Sequence, residues 1–150
     1  MLEMQAVIGR IQLAHMPGWT QARTHNAAAL LQTCRRFAAL RVPELPAGSE
    51  HAFYKCYVYV RPEQLAPGWS RDRIIEAINA HGVPCYQGSC SEVYLEKAFD
   101  ATPWRPSDRL PHARALGETS VMFLVHPTLT EAEIEQTCKA ISEVFGQACA

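Results

Sequence analysis

Two stretches of helical periodicity open the chain. In residues 2–14 apolar side chains recur every three or four positions, and residues 19–40 repeat this spacing with arginines on the opposite face. Such spacing places apolar side chains on one face of an α-helix. The sequence His15-Met16-Pro17-Gly18 interrupts the pattern, so we expect two helices, because proline suits the first turn of a helix. No capping residue precedes the first helix, and we expect further chain before it.

The middle of the chain changes to a strand pattern and then returns to a helical one. Aromatic and β-branched residues alternate in residues 51–61, which predicts a strand. After a loop, Ser70 is placed to cap a helix. The apolar residues of that helix share one face, which we expect to be buried: Ile74, Ile75 and Ile78.

The second half of the chain contains shorter elements. Residues 83–86 read as a short extended segment, and residues 93–99 and 110–117 as helices. Residues 120–125 form a continuous apolar run, which is typical of a strand inside a sheet. Residues 130–133 read Thr-Glu-Ala-Glu, a capping box that begins the last helix.

This order of elements predicts an α/β (α+β) fold. We expect a two-layer sandwich, with a small, mainly antiparallel sheet of about three strands and helices on one face. Two N-terminal helices precede it. The helix over residues 19–40 either bridges two domains or packs lengthwise on its own sheet.

Composition excludes several classes of protein. The chain has 150 residues, a formal net charge of -1 and 48% hydrophobic residues, so we expect a globular protein without the basic surface that binds nucleic acid. No apolar run reaches the roughly 20 residues that a membrane helix needs. The first residues also lack the basic flank of a secretory leader. We therefore expect a cytoplasmic protein that binds neither nucleic acid nor membrane, with its six cysteines reduced.

The richest candidate chemistry lies in one loop. Residues 86–92 read Tyr-Gln-Gly-Ser-Cys-Ser-Glu and offer hydroxyls, an amide and a carboxylate. Neutral hydrogen-bonding groups of this kind suit a sugar or a nucleotide. The alternative is that the two serines only cap the following helix. The candidate substrate-binding residues are Tyr86, Gln87, Ser89, Ser91 and Glu92.

Other polar residues carry weaker signals. His81, Cys85 and Cys90 lie close in sequence but lack a fourth ligand at metal-site spacing, so we predict no metal site. His126 follows a predicted strand and precedes a proline, which favours a turn role over a general base.

Three stretches together resemble the C-terminal portion of the DegT/DnrJ/EryC1/StrS aminotransferases. Residues 1–13 are similar to the family's helix of the form Met-x-Glu-x-Gln-Ala-Ala-Ile-Gly-x-x-Gln-Leu. Residues 120–130 are similar to its strand followed by His-Pro-x-Leu-Thr. Residues 81–84 with Tyr86 occupy the place of its Gly-Ile loop before the substrate-facing segment, although residues 87–92 differ from the usual version of that segment and are similar to a subgroup.

The resemblance implies transamination of a keto-sugar nucleotide, with glutamate as the typical amino donor and pyridoxal phosphate as the cofactor. It also implies a homodimer, with the 86–92 loop closing over the substrate. Lys55, Lys97 and Lys139 are the only lysines, and none has the family's Ser-x-x-Lys context. We therefore expect a C-terminal fragment: residues 1–40 lead from an absent cofactor domain and residues 41–150 form the small domain. We assign no catalytic and no cofactor-binding residue, and we expect no cofactor on this chain.

Two rival hypotheses remain. The chain could be a free-standing α/β module that binds a small metabolite with the same loop. It could also be an assembly module that uses the apolar face of its first helix and forms concentration-dependent oligomers.

Overall fold

Four antiparallel strands form a small sheet at the centre of the computed structural model, which describes residues 2–149. In spatial order the sheet runs β1-β2-β4-β3, so β4 is internal, as its apolar run predicts. Our expectation of about three strands missed one, because β1 has only two residues, too few for a visible alternation. The strands are β1 (Leu40–Arg41), β2 (Cys56–Val60), β3 (Cys85–Tyr86) and β4 (Ser120–Phe123).

Helices on one face of the sheet complete the core, which confirms the predicted mixed α/β class. The inward side chains of the strands and the buried faces of α1, α2 and α4 belong to one hydrophobic cluster. Phe123 of β4 and Phe145 of α4 are its largest fully buried side chains. The helices are α1 (Glu3–Cys34), α2 (Arg71–Ala80), α3 (Pro111–Thr119) and α4 (Glu131–Ala148).

The prediction of two N-terminal helices was wrong, because α1 is one continuous helix of 32 residues that contains Pro17. Proline has a backbone φ that fits a helix, but it lacks an N–H and so removes one hydrogen bond. The turns on either side remain helical. Only the second half of α1 enters the core, through Ala27, Leu30 and Cys34. The predicted domain boundary at residue 40 stays a prediction.

The predicted helix over residues 93–99 was also wrong. This segment forms two single turns of 3-10 helix, Val93–Leu95 and Lys97–Phe99. None of their residues is buried, so the segment gains no hydrophobic stabilisation that would favour a longer helix.

Both helix caps predicted from the sequence are confirmed. Ser70 Oγ accepts a hydrogen bond from Arg73 N at 3.2 Å and begins α2. At the start of α4, Thr130 Oγ1 accepts from Glu133 N at 3.3 Å, and the Glu133 carboxylate accepts from Thr130 N at 2.7 Å. His126 forms part of the turn before this cap, since its Nδ1 lies 2.7 Å from Thr128 Oγ1.

We expect Thr130→Ala to lower the free energy of unfolding by about 1 kcal/mol, because the first turn of α4 loses a capping acceptor. Urea denaturation followed by circular dichroism measures the change. The matched control is Thr137→Ala, whose hydroxyl donates to Glu133 O within the same helix and caps nothing. Equal destabilisation by the two substitutions would contradict the capping role.

Candidate functional site

The candidate site lies on the outer face of the sheet, opposite the core. Cys56, Val58 and Val60 of β2 are buried, so the alternation of a strand directs Lys55, Tyr57 and Tyr59 to the other face. Tyr57 pairs with Met122 of β4, and Met122 pairs with Tyr86 of β3. Residues directly opposite each other in a sheet point to the same face, so Tyr86 shares this face with Tyr57.

Tyr57 holds the loop that follows β3. Its hydroxyl accepts a hydrogen bond from Ser89 N at 3.0 Å and donates to Ser89 Oγ at 3.3 Å. Lys55 Nζ also donates to Ser89 Oγ, at 3.4 Å. Gly88 has a φ of +101°, and a Cβ there would overlap the Tyr57 ring. Glycine is therefore required at this position, both for its conformation and for the close approach of the ring.

Contacts at each end of the loop fix it further. Ser120 Oγ, at the start of β4, donates to Gln87 O at 2.6 Å. The Gln87 side chain is exposed and donates to Asp72 Oδ1 at 3.4 Å. Ser91 packs so closely on α3 that a Cβ at Gly117 would overlap its hydroxyl.

Glu92 differs from its neighbours because its side chain is engaged within the protein. Arg109 donates to both carboxylate oxygens, and Tyr94 OH donates to Oε1 at 2.7 Å. Tyr94 OH accepts in turn from Leu110 N at 2.8 Å. The hydrogen bonds from Arg109 and Tyr94 lower the pKa of Glu92 from 4.5 to about 2. Glu92 is therefore a carboxylate that ties the end of the loop to the start of α3.

The sequence-predicted site residues thus fall into two groups. Tyr86, Gln87, Ser89 and Ser91 are exposed, whereas Glu92 is buried. The alternative that the two serines cap a helix is contradicted, because no side chain caps either 3-10 turn. Sequence reasoning missed Lys55 and Tyr57. The signal was present, since both occupy the outward positions of the predicted strand.

That none of the three lysines holds pyridoxal phosphate stays a prediction. Lys97 and Lys139 are exposed, and Lys139 Nζ lies 3.8 Å from Glu143. Lys55 is half-buried and is engaged with Ser89. A lysine that holds the coenzyme aldehyde must reach it from a pocket that also binds the coenzyme phosphate. We therefore assign no chemical step to these three side chains.

The cysteines are structural in character. Cys34, Cys56 and Cys85 are buried in the core, and burial raises the pKa of Cys56 and of Cys85 to about 12. All six thiols are free.

Within residues 2–149, no three His, Cys, Asp or Glu side chains form a group that could hold a metal ion. In the same range, no helix combines the length and the apolar character needed to cross a bilayer.

Comparison with known proteins identifies the class of fold. An aminotransferase from Psychrobacter cryohalolentis shares 58% sequence identity with a TM-score of 0.91, over 97% of this chain and 39% of that one. A putative sugar aminotransferase from Streptococcus pneumoniae, in its PMP form, has 17% identity and a TM-score of 0.78 over 98% and 36% of the two chains. The E. coli GDP-4-keto-6-deoxy-D-mannose-3-dehydratase with bound hydrated PLP has 18% identity and a TM-score of 0.72, over 93% and 35%.

The fold is therefore that of an aminotransferase domain. The family model of the DegT/DnrJ/EryC1/StrS aminotransferases matches residues 1–142, and the chain belongs to this family. The resemblance drawn from the sequence motifs is thereby confirmed. The two more distant structures, both under 25% identical, show the fold alone. The chain spans about two fifths of the length of the Psychrobacter enzyme.

We expect Gly88→Ala to destabilise the chain by about 1–3 kcal/mol, because it adds backbone strain and displaces the Tyr57 ring. Gly48→Ala is the matched control: Gly48 also has a positive φ, of +77°, but a Cβ there meets nothing within 4 Å. Thermal unfolding of both variants separates the two effects. Equal losses would show that the Tyr57 contact contributes nothing.

We expect Arg109→Gln to make stability less dependent on pH. The folded-state pKa of Glu92 is lowered, so its contribution is present above its usual pKa and is lost as the pH falls toward about 2. Urea unfolding at about pH 6 and about pH 3 should show a smaller difference in the variant than in the unmodified chain.

Arg105→Gln provides the control for this ion pair. Arg105 pairs with Asp100, and both side chains are exposed, so little change in pH dependence is expected. The same pH dependence in the unmodified chain and in Arg109→Gln would show that the Glu92 ion pair does not stabilise the fold.

Proposed function

We propose that the chain is the small C-terminal domain of a cytoplasmic, pyridoxal-phosphate-dependent aminotransferase that acts on a keto-sugar nucleotide. The observation that carries this proposal is the match to the family over residues 1–142. In this proposal the chain supplies contacts to the substrate, and the remainder of the enzyme supplies the lysine and the cofactor site.

The loop geometry supports a substrate-binding role. Gln87, Ser89 and Ser91 carry neutral donors and acceptors and lie exposed on a backbone that Tyr57 and Ser120 fix in place. Fixed hydrogen-bonding groups suit a sugar, because little ordering is needed when the ligand binds. We propose that Tyr86, half-exposed beside them, packs on the sugar ring. Glu92 acts by holding the loop in place through Arg109.

The first half of α1 supports the idea of a larger assembly. Its large apolar side chains are each at least 49% exposed, which is unusual for a protein that functions alone. We propose that this surface is buried in the complete enzyme, which we expect to be a homodimer. The exposed residues are Leu2, which directly precedes the helix, and Met4, Val7, Ile8, Ile11, Leu13 and Met16 within it.

A chimaera tests the proposed function directly. The C-terminal part of the Psychrobacter aminotransferase is replaced by this chain, to which it is 58% identical. We expect the chimaera to bind pyridoxal phosphate and to transfer an amino group to at least one of a panel of UDP-, dTDP- and GDP-linked keto sugars. Mass spectrometry of the sugar nucleotide measures transfer.

Substitutions within the chimaera test the loop. Ser89→Ala and Gln87→Ala should each raise the KM for the keto-sugar nucleotide by about tenfold, since one hydrogen bond to a ligand is worth about 1 kcal/mol or more. The KM for the amino donor should stay unchanged. Ser107→Ala, at an exposed position outside the loop, is the control. A chimaera that folds and binds the coenzyme but aminates no member of the panel would overturn the proposal.

The isolated chain provides the complementary measurement. Mixed with pyridoxal phosphate, it should not develop the stoichiometric visible absorbance of a coenzyme bound to one lysine. Such a band would contradict the proposal if it is lost when Lys55, Lys97 or Lys139 is changed and if the chain also turns over an amino donor. The chain would then be catalytic without a cofactor domain.

A further inference from the structure

The first turn of α2 carries an arginine that joins three elements of the fold. Arg71 is the first residue of α2, and its side chain is only 13% exposed. Its Nη1 donates to Gly117 O of α3 at 2.9 Å and to Ser120 O of β4 at 3.1 Å. A guanidinium has a rigid, planar arrangement of donors. These two bonds therefore fix the direction of its remaining donors as well.

One of those remaining donors orients the neighbouring Asp72. Arg71 Nε donates to Asp72 Oδ1 at 2.6 Å, although the Asp72 side chain is 63% exposed. The same oxygen accepts from Gln87 Nε2 of the loop, at 3.4 Å. Since Oδ1 accepts from both side chains, the guanidinium fixes where the acceptor for Gln87 lies.

The orientation of the Gln87 carboxamide decides which of its atoms is available to a ligand. A carboxamide has a donor, Nε2, and an acceptor, Oε1. Turning Oε1 toward Asp72 would bring two acceptors together and leave both without a donor, so even a long bond to Nε2 selects one orientation. Within residues 2–149, Oε1 receives no hydrogen bond. Gln87 lines a cavity of about 570 Å³ together with Ser89 and Ser91.

We propose that Asp72, held by Arg71, is a positioning residue that presents Gln87 Oε1 to a hydroxyl of the sugar. Oε1 can only accept, so the ligand atom beside it must carry a hydrogen, which excludes an ionised phosphate oxygen. Arg71 and Asp72 together have no net charge, which also suits a neutral group. The identity of the ligand rests on the proposed function, whereas the orientation of Gln87 is a property of this chain alone.

Nuclear magnetic resonance of the 150-residue chain tests the orientation without substrate or coenzyme. The loss of signals in Gln87→Ala assigns the side-chain amide of Gln87. Asp72→Ala should move this amide toward the position of Gln147, an exposed glutamine, because its acceptor is removed. Asp72→Asn should retain most of the original displacement, since Arg71 Nε still holds an oxygen at the same place. The proposal is overturned if Asp72→Ala leaves the amide signals unchanged, or if Asp72→Asn moves them equally far.

Kinetics of the chimaera test the consequence for the ligand. Asp72→Ala should raise the KM for the keto-sugar nucleotide by about fivefold and Asp72→Asn by less than about twofold, with kcat and the KM for the amino donor unchanged. Glu76→Ala is the control, because it removes a carboxylate from an exposed position one turn further along α2. In a Gln87→Ala background, Asp72→Ala should have no further effect, since both residues act through one contact. Additive effects would show that Asp72 does not act through Gln87.

Deoxyfluoro analogues of the substrate identify the hydroxyl. Fluorine is similar in size to a hydroxyl but donates no hydrogen. With one analogue, Gln87→Ala should raise the KM by less than about twofold, in place of the roughly tenfold increase expected with the parent sugar. The same increase with every analogue would rule out a sugar hydroxyl as the partner of Oε1. A chimaera that aminates no sugar overturns the proposed function alone, because the amide signals decide the orientation of Gln87 separately.

Discussion

The antiparallel pairing of β2 with β4 is the constraint on which the other features of this domain depend. Cys56 pairs with Phe123 and Tyr57 with Met122, and in a sheet such a register decides which side chains face the core. A shift by one residue would bury Lys55, Tyr57 and Tyr59 and expose Cys56 and Val58. The same pairing that closes the hydrophobic core therefore also builds the outer face that carries the candidate site.

From that face, a single tyrosine links the sheet to the loop. Tyr57 OH bonds both the backbone and the hydroxyl of Ser89, while its ring packs on Gly88. Farther along the chain, the buried Glu92 and its partner Arg109 hold the end of the loop. The loop is thus fixed at both ends by groups that are themselves supported by the sheet and by α3. Should a ligand bind to a loop held in this way, the loop would lose little conformational entropy.

The two halves of α1 have different environments. The second half packs in the core, and buried Asn26 donates to His126 O at 3.3 Å, which joins the helix to the turn after β4. The first half has a similar density of apolar residues but is exposed. Apolar periodicity alone does not distinguish these environments, because it reports a face that needs a partner and not where the partner lies.

The sequence by itself determined the elements that depend only on neighbouring residues. Capping by Ser70 and Thr130, the alternation of β2 and the apolar run of β4 were all predicted, because neighbouring residues alone produce them. Family membership was also visible in short motifs. Only the tertiary structure decided that α1 continues through Pro17, that residues 93–99 remain in single turns and that Leu40–Arg41 forms a fourth strand. The tertiary structure alone brought Lys55 and Tyr57 to Ser89 and paired Glu92 with Arg109. These contacts join residues that lie 17 to 34 positions apart in the sequence. Such contacts depend on the register of the sheet and the path of the chain, which local patterns do not specify.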